Sequence, residues 1–326
     1  MADQEELAFA PGRYAALDIG TVTCRMLVAD VDAQGGLREL DREYRITNLG
    51  EGVDASGELL PQAMQRVAAA VGDYLRILDG LCSPDDPRPR VTAVATSAAR
   101  DAKNAAEFEA MLSDLGVSLS VIPGDKEAEL GFKGASCDFL GDRLIVADVG
   151  GGSTEIVAGT AGEKPEFAHS FNIGCRRVTE RFLHGDPPAD EELASARSWM
   201  RKGMADYFAQ LRGAGFDGVR LVAVAGTATS VVSIRDRMEV YDSSLVHLSR
   251  VSREELDEVY EQMRSVPLSI REKTVGLDPG RAPVVVAGLV ILQTVLDLAG
   301  ADSFTASESD ILQGIILDAA STAAKP

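Results

Sequence analysis

Apolar and polar positions in this chain change period several times, and each change marks an element. From Tyr14 to Val28, two short apolar runs flank Asp18-Ile-Gly20-Thr21-Val22-Thr23, the pattern of strand, tight turn and strand. The same figure returns from Leu144 to Val157 around Asp148-Val-Gly150-Gly151-Gly152-Ser153-Thr-Glu155. A third strand follows each hairpin, at Arg42 to Ile46 and at Phe167 to Asn172. After a loop at Leu49 to Gly57, the spacing of Met64, Val67, Ala68, Val71, Leu75 and Leu78 predicts a helix over Leu60 to Leu78. Strands at Arg90 to Thr96 and Val117 to Ile122 enclose a helix at about Asn104 to Leu115. Pro123-Gly124 ends the last of these, and Asp125 starts a new helix. The second half continues with a helix around Asp190 to Leu211, a strand at Val219 to Ala225 and a helical tail from Pro283 to Ala319. Helices between strands imply mixed sheets covered by helices, an α/β fold. Two domains are expected, 13–131 and 132–307, with a helix over 308–320 returning to complete the first. Residues 1–12 read as a loose acidic tail and Ser83 to Pro89 as a surface linker.

The chain has 326 residues, enough for two domains with separate cores. The longest greasy stretch, Pro283 to Ala299, is shorter than the ~20 residues of a membrane span. Gln293 and Asp297 also interrupt it, so a buried helix is expected. A formal charge of −19 argues against general nucleic-acid binding, which needs a broad basic face. Cys24, Cys82, Cys137 and Cys175 form no C-x-x-C pair, which suits reduced thiols in a cytoplasm. The acidic N-terminus lacks the basic and apolar order of a signal peptide.

Both hairpins suit phosphate. Glycine and short side chains let turn N–H groups point at an anion, and an Asp at the end of the first strand offers a hard oxygen for Mg²⁺. Asp-Gly turns also close plain hairpins, so it is the duplication that suggests phosphate held between two halves. Four more clusters stand where strands end, the usual place for ligands in α/β sheets. Thr96-Ser97-Ala-Ala-Arg100 offers hydroxyls and a fork for phosphate, and equally reads as a helix cap with a surface Arg. Gly124-Asp-Lys126-Glu127 places a carboxylate in a first helical turn, as a general base or as a simple cap. Gly174-Cys-Arg176-Arg177 brings two cations to a strand end. Gly226-Thr227 opens a helix whose N-terminus can bind an anion. No P-loop, no G-x-S-x-G and no metal-ligand spacing of His169, His184 or His247 occurs.

In order, Asp18-Ile-Gly-Thr, Ala95-Thr-Ser-Ala-Ala-Arg100, Pro123-Gly-Asp-Lys-Glu127-Ala and Asp148-Val-Gly-Gly-Gly-Ser-Thr-Glu155 resemble the exopolyphosphatase / guanosine pentaphosphate phosphatase family. So do Ile173-Gly174, Ala225-Gly226-Thr227, Arg281-Ala-Pro and Ser307-Glu-Ser-Asp310. The resemblance spans roughly residues 13–320. It implies two actin-like, ribonuclease H-like domains, each a mixed five-stranded sheet with flanking helices, and a ligand cleft between them. It implies Glu127 as catalytic base and Asp148 and Glu155 as residues that help hold Mg²⁺ or order the lytic water, with Asp18 as a further metal ligand and Mn²⁺ as an alternative ion. Gly20, Thr21, Thr23, Arg100, Gly151, Gly152, Ser153, Gly226 and Thr227 would bind the terminal phosphoryl group. Arg25, Lys126, Arg176 and Arg177 are expected to guide the rest of a polyanion against the global charge. The implied substrate is inorganic polyphosphate or pppGpp, and a protein that only senses these ligands is the alternative to an enzyme. The chain looks like the short, two-domain form and is expected to be a cytoplasmic homodimer without membrane attachment.

Two departures matter. Val22 stands where the family usually has Asn, losing an amide near the phosphate. Lys126 stands where it often has Glu, and that cation is expected to favour an ionised Glu127.

Overall fold

The computed structural model describes residues 9–83 and 88–324. Much of the expected acidic tail and the middle of the Ser83–Pro89 linker therefore lie outside the described residues. Order begins earlier than expected: the Ala10 N–H donates to Ala320 O at 3.0 Å, and the Tyr14 hydroxyl donates to Ala10 O at 2.8 Å.

The first sheet holds β1 (Gly12–Ile19), β2 (Thr23–Val31), β3 (Leu37–Ile46), β4 (Arg90–Ala95) and β5 (Leu119–Val121), in the order β3-β2-β1-β4-β5. The β1–β2 and β2–β3 pairs are antiparallel; β1–β4 and β4–β5 are parallel. β3 begins five residues before the expected Arg42, because Leu37-Arg-Glu-Leu-Asp forms a charged edge strand without clear alternation. Helix α1 (Pro61–Gly80) buries Met64, Val67, Val71 and Leu78 as their spacing predicts, and also Tyr74, whose hydroxyl donates to Cys24 O at 2.8 Å. Short helix α2 (Ser97–Asp101) and α3 (Ala105–Asp114) follow β4.

The second sheet comprises β6 (Arg143–Val149), β7 (Thr154–Thr160), β8 (Phe167–Phe171), β9 (Arg220–Val224), β10 (Arg250–Ser252) and β11 (Ser303–Ala306), ordered β10-β11-β9-β6-β7-β8. It is mixed, like the first, but has six strands where five were expected. β10 is three residues long, too short to leave a period. β11 interrupts what reads as one helical tail. Gly300, at φ 66°, ends α9 (Val285–Ala299), and Asp310 caps α10 (Ile311–Ala323) by accepting from the Leu312 N–H at 2.9 Å.

Helix α9 is buried as expected in the core of the second half, between α6 (Asp190–Gly213) and α8 (Arg253–Arg264). Its polar interruptions are paired: Gln293 accepts from Arg197 at 2.5 Å and donates to Asp257, and Asp297 receives Arg201 and Arg253. Helix α10 instead returns to the first sheet, where Ile311, Leu312, Ile315 and Ile316 share a core with Tyr14, Ala16 and Leu27.

Helix α4 (Gly124–Ala135) serves both halves. Ala128, Phe132 and Ala135 pack with Val146, Val157 and Val222 of the second sheet, whereas Leu130 joins the first core. The division drawn between 131 and 132 thus falls inside a continuous helix. A side chain on Gly314 would run into Leu130 O, and one on Gly134 into Asp310 O, so bare backbone is what lets α4 and α10 touch.

Candidate active site

The two hairpin turns meet face to face. Each closes with the same bond: Gly20 N–H to Thr23 O at 2.9 Å, and Gly150 N–H to Ser153 O at 3.1 Å. At Gly151 a Cβ would stand 2.6 Å from Val22 Cγ2, and at Gly152 it would stand 2.7 Å from Thr21 Oγ1. Only glycine allows this approach. Between the turns is a cavity of about 70 Å³. Its walls include Gly20, Thr21 and Thr23 from the first turn, and Gly151, Gly152 and Ser153 from the second. Gly226 and Thr227 line it from the start of α7 (Ala225–Arg235). The Thr227 hydroxyl is held by Val149 O at 3.3 Å, and Ala225 takes φ 63° at the strand-to-helix corner. Four carboxylates, Asp18, Glu127, Asp148 and Glu155, complete the wall.

These carboxylates are crowded into a buried space. Asp18 accepts from Arg25 Nε at 3.1 Å and from a terminal nitrogen at 2.6 Å, yet burial still raises its carboxyl above the usual range. Asp148 accepts no side-chain hydrogen bond among the described residues. Burial raises it to about 7, with the charges of Asp310 and Glu127 adding to the effect. Glu155, which accepts from Ser170 Oγ at 2.6 Å, is pushed well above the ordinary range by burial and then by Glu127 and Asp148. Glu127, in the first turn of α4, is raised to about 7 by burial, against the pull of Arg100. Burial keeps these acids raised even with Arg25, Arg100 and Arg281 close by, and a divalent cation would add the positive charge that lowers them. Among the described residues no three metal-ligating side chains converge into a cage.

The cations are placed differently from the sequence expectation. Arg100 donates to Glu127 Oε2 at 2.8 Å and to Ile122 O at 3.2 Å, and it is not among the residues that line the cavity. A buried carboxylate needs a counter-charge, and Arg100 supplies one to Glu127. Lys126 does not favour an ionised Glu127. Its ammonium turns away to Asp318 at 3.0 Å and faces a separate groove, so Glu127 rises instead of falling. Arg25 does reach the cavity, pinned between Asp18 and Asp310. Arg176 and Arg177 stand beyond the turns, bonded to Asn48 and Glu180 and to Asp54 and Asp101.

Arg281 and Asp310, to which the sequence gave no role, belong to the site, and Val22, noted there only for a lost amide, packs beside it. Arg281 lines the cavity, lies against the Gly226 backbone, and makes no side-chain hydrogen bond or ion pair among the described residues. Burial, joined by the nearby charge of Arg25, lowers its pKa. Asp310 joins the C-terminal helix to Arg25. Val22, 5% exposed, sits in the core of the second half. Locally, Arg281 is only a polar residue before a greasy helix. The one signal for Arg281 and Asp310 was their place in the motifs Arg281-Ala-Pro and Ser307-Glu-Ser-Asp310.

Comparison with known proteins agrees with this geometry. Residues 27–323 match the model of the Ppx/GppA phosphatase family. Exopolyphosphatase 2 of Mycobacterium tuberculosis is 39% identical over 324 residues, covering 94% of this chain and 98% of that protein. A crystal structure of an exopolyphosphatase-like protein superposes with a TM-score of 0.87 at 32% identity, over 97% of this chain and 99% of the other. The Ppx/GppA family member from Aquifex aeolicus gives 0.77 at 25% identity, over 97% and 100%. Among the described residues no helix is long and apolar enough to cross a membrane. With a family-model match over residues 27–323 and a relative 39% identical across 94% of the chain, this chain belongs to the Ppx/GppA phosphatase family.

Proposed function

We propose that the protein is a Mg²⁺-assisted exopolyphosphatase that releases the terminal phosphate of inorganic polyphosphate. The observation that carries this reading is Glu127, buried in the cavity wall with Arg100 on its carboxylate and raised to about 7. A base poised near neutral pH is what attack by water requires. The turn N–H groups, the hydroxyls of Thr21 and Ser153, and Arg281 hold the terminal phosphoryl group. Glu127 takes a proton from water as its oxygen bonds to the terminal phosphorus. The bond to the bridging oxygen breaks, leaving inorganic phosphate and a chain one unit shorter. Asp148, which accepts no side-chain hydrogen bond among the described residues, and Glu155 would hold Mg²⁺, which would supply charge neutralisation of the phosphate oxygens. Asp18 is the lesser ligand, since Arg25 already engages it.

Glu127→Gln tests the assignment. Turnover should fall ~10²–10⁴-fold with binding retained; more than about a tenth of wild-type kcat would refute the base.

A second reading, pppGpp as substrate, draws on the space beside the cavity. Arg25, Gly226 and Arg281 line both the cavity and an open pocket of about 700 Å³. Tyr44 and Tyr241, half exposed, stand in that pocket and offer faces for a base. Phosphate release from long polyphosphate, tripolyphosphate and pppGpp, measured side by side, separates the readings. The sensor alternative loses its main support, because Val22 has a packing role of its own.

We further read the protein as a cytoplasmic homodimer. Four free cysteines suit a reducing compartment. Exposed Val240, Tyr241, Leu245 and Leu248 offer an apolar surface for a second copy. Light scattering at micromolar concentration checks this, and a clean monomer would contradict it.

A further inference from the structure

The chain passes between the two halves twice, and one histidine touches both passages. The outward passage follows α4 and carries a 3₁₀ turn (Cys137–Phe139). The return runs from β11 through Ser307-Glu-Ser-Asp310 into α10. His247, half-buried in the second half, stands between them. Its Nδ1 accepts from the Glu308 N–H at 3.2 Å, and its Nε2 lies 3.5 Å from Asp138 Oδ2. The next residue fixes the ring's place. Leu248 takes φ 63°, a left-handed conformation that L residues rarely adopt, and its N–H donates to Ala306 O at 2.8 Å.

The return passage matters to the site because it ends on Asp310, two residues beyond Glu308. That carboxylate caps α10 with one oxygen and holds Arg25 with the other. Arg25 in turn clasps Asp18 in the cavity wall.

The two partners of His247 favour different protonation states. A backbone N–H requires an unprotonated Nδ1, which a neutral ring carrying its proton on Nε2 supplies. Asp138 favours the imidazolium instead and raises the His247 pKa by its hydrogen bond. The charge of Glu308 adds to the effect, while burial and Arg42 oppose it. Cys137, beside Asp138, has its thiol pushed up to about 11 by burial and stays neutral at the pH where histidine titrates. Tyr241 donates to the Glu308 carboxylate. Other ties between the halves keep one charge state, as where Arg177 of α5 (Cys175–Phe182) meets Asp54 and Asp101.

We propose that His247 is a positioning residue: its neutral form fixes the return passage, and through it Asp310 and Arg25, and its protonation releases that hold. A proton gained at Nδ1 turns the acceptor into a donor that faces another donor. The Glu308 N–H then loses its partner, while Asp138 keeps the imidazolium. With Asp310 less firmly held, Arg25 is set less accurately in the cavity wall, and small misplacements there are costly in rate. The consequence for turnover rests on the exopolyphosphatase reading; the exchange of bonds at the ring does not.

With three histidines in the chain, the ring is easy to follow by ¹⁵N-histidine NMR, its signal assigned by replacing His169 and His184. In wild-type protein His247 should titrate above the ordinary value of about 6.5, and the Glu308 amide should shift with it. Asp138→Asn should bring that titration down. A His247 that titrates at or below the ordinary value, or a Glu308 amide indifferent to it, overturns the proposal whatever the variants do. Turnover supplies the second arm. His247→Asn offers an acceptor oxygen in place of Nδ1 and does not titrate. Between about pH 8.5 and pH 6, wild-type kcat/KM on tripolyphosphate should fall roughly threefold or more relative to His247→Asn. The titration of Glu127 is common to both proteins and cancels in that ratio. His247→Ala, with no acceptor, should lie below His247→Asn at pH 8.5, with thermal melts to verify folding. Identical profiles for wild type and His247→Asn, or His247→Asn no better than His247→Ala, would reduce the ring to packing and overturn its role. Wild-type protein that releases no phosphate from tripolyphosphate or long polyphosphate overturns the exopolyphosphatase reading, while the NMR titration still decides the exchange at His247.

Discussion

The two hairpin turns share a backbone and differ in what they present. In the first, Asp18 is clasped by Arg25, and the turn carries side chains: the Thr21 hydroxyl toward the cavity and Val22 into the opposite core. In the second, Asp148 accepts no side-chain hydrogen bond among the described residues and feels Arg25 only through its charge, and the turn is three glycines of bare backbone. The first aspartate is tied to a guanidinium, and the second stands free of hydrogen bonds in a buried, acid-rich wall. On our proposal, a duplicated element has thus been divided between gripping the phosphate with the neighbouring half and holding the metal. Close approach demands the asymmetry, because two turns that both carried side chains could not meet.

The largest effect expected from this contrast is on metal demand. Asp148→Asn should raise the Mg²⁺ concentration required for activity by about 10–100-fold, whereas Asp18→Asn should shift it far less. Metal titrations of phosphate release check both variants. Equal shifts would erase the distinction between the turns, and full activity of wild-type protein in excess chelator would remove the metal altogether.

Next comes the fit between the turns. Gly151→Ala puts a methyl 2.6 Å from Val22 Cγ2 and should reduce kcat/KM about tenfold or more by spreading the cavity. Adding Val22→Ala should restore part of that loss. A double-mutant cycle with no coupling would show that the contact does not set the spacing.

The smallest effect is on stability and depends on pH. Glu127 and Asp148 both stand raised to about 7 by burial, against ordinary values near 4. Raised acids contribute stability that is fully present below the unfolded values and lost as pH rises through the folded ones. Melting of the metal-free protein should therefore drop between about pH 4 and 7, and Mg²⁺ should stabilise more at pH 8 than at pH 5. A melting temperature flat across that range would mean that the carboxylates are not crowded as they are here.

Much of this was legible locally. The hairpins at Asp18 and Asp148 show because period-two apolar runs and Asp-x-Gly turns are properties of adjacent residues. Helix α1 shows because its buried face repeats every turn. β3 was half missed, because an edge strand rich in Arg and Glu carries little alternation. β11 was hidden by its apolar neighbours, and only its pairing with β9 and β10 makes it a strand.

Sequence alone determined the class of fold, the duplicated hairpin turns and the Glu at the start of α4. Those depend on short-range backbone preference and on residue types that few other roles require. Tertiary structure alone decided the partners of the charges. Arg100 met Glu127, Lys126 left it for Asp318, Arg177 bridged to Asp54 and Asp101, and Arg281 arrived at Gly226 from far along the chain. The physical reason is reach. A guanidinium or ammonium on a long flexible stem takes whichever acceptor packing brings near, and burial then sets its strength.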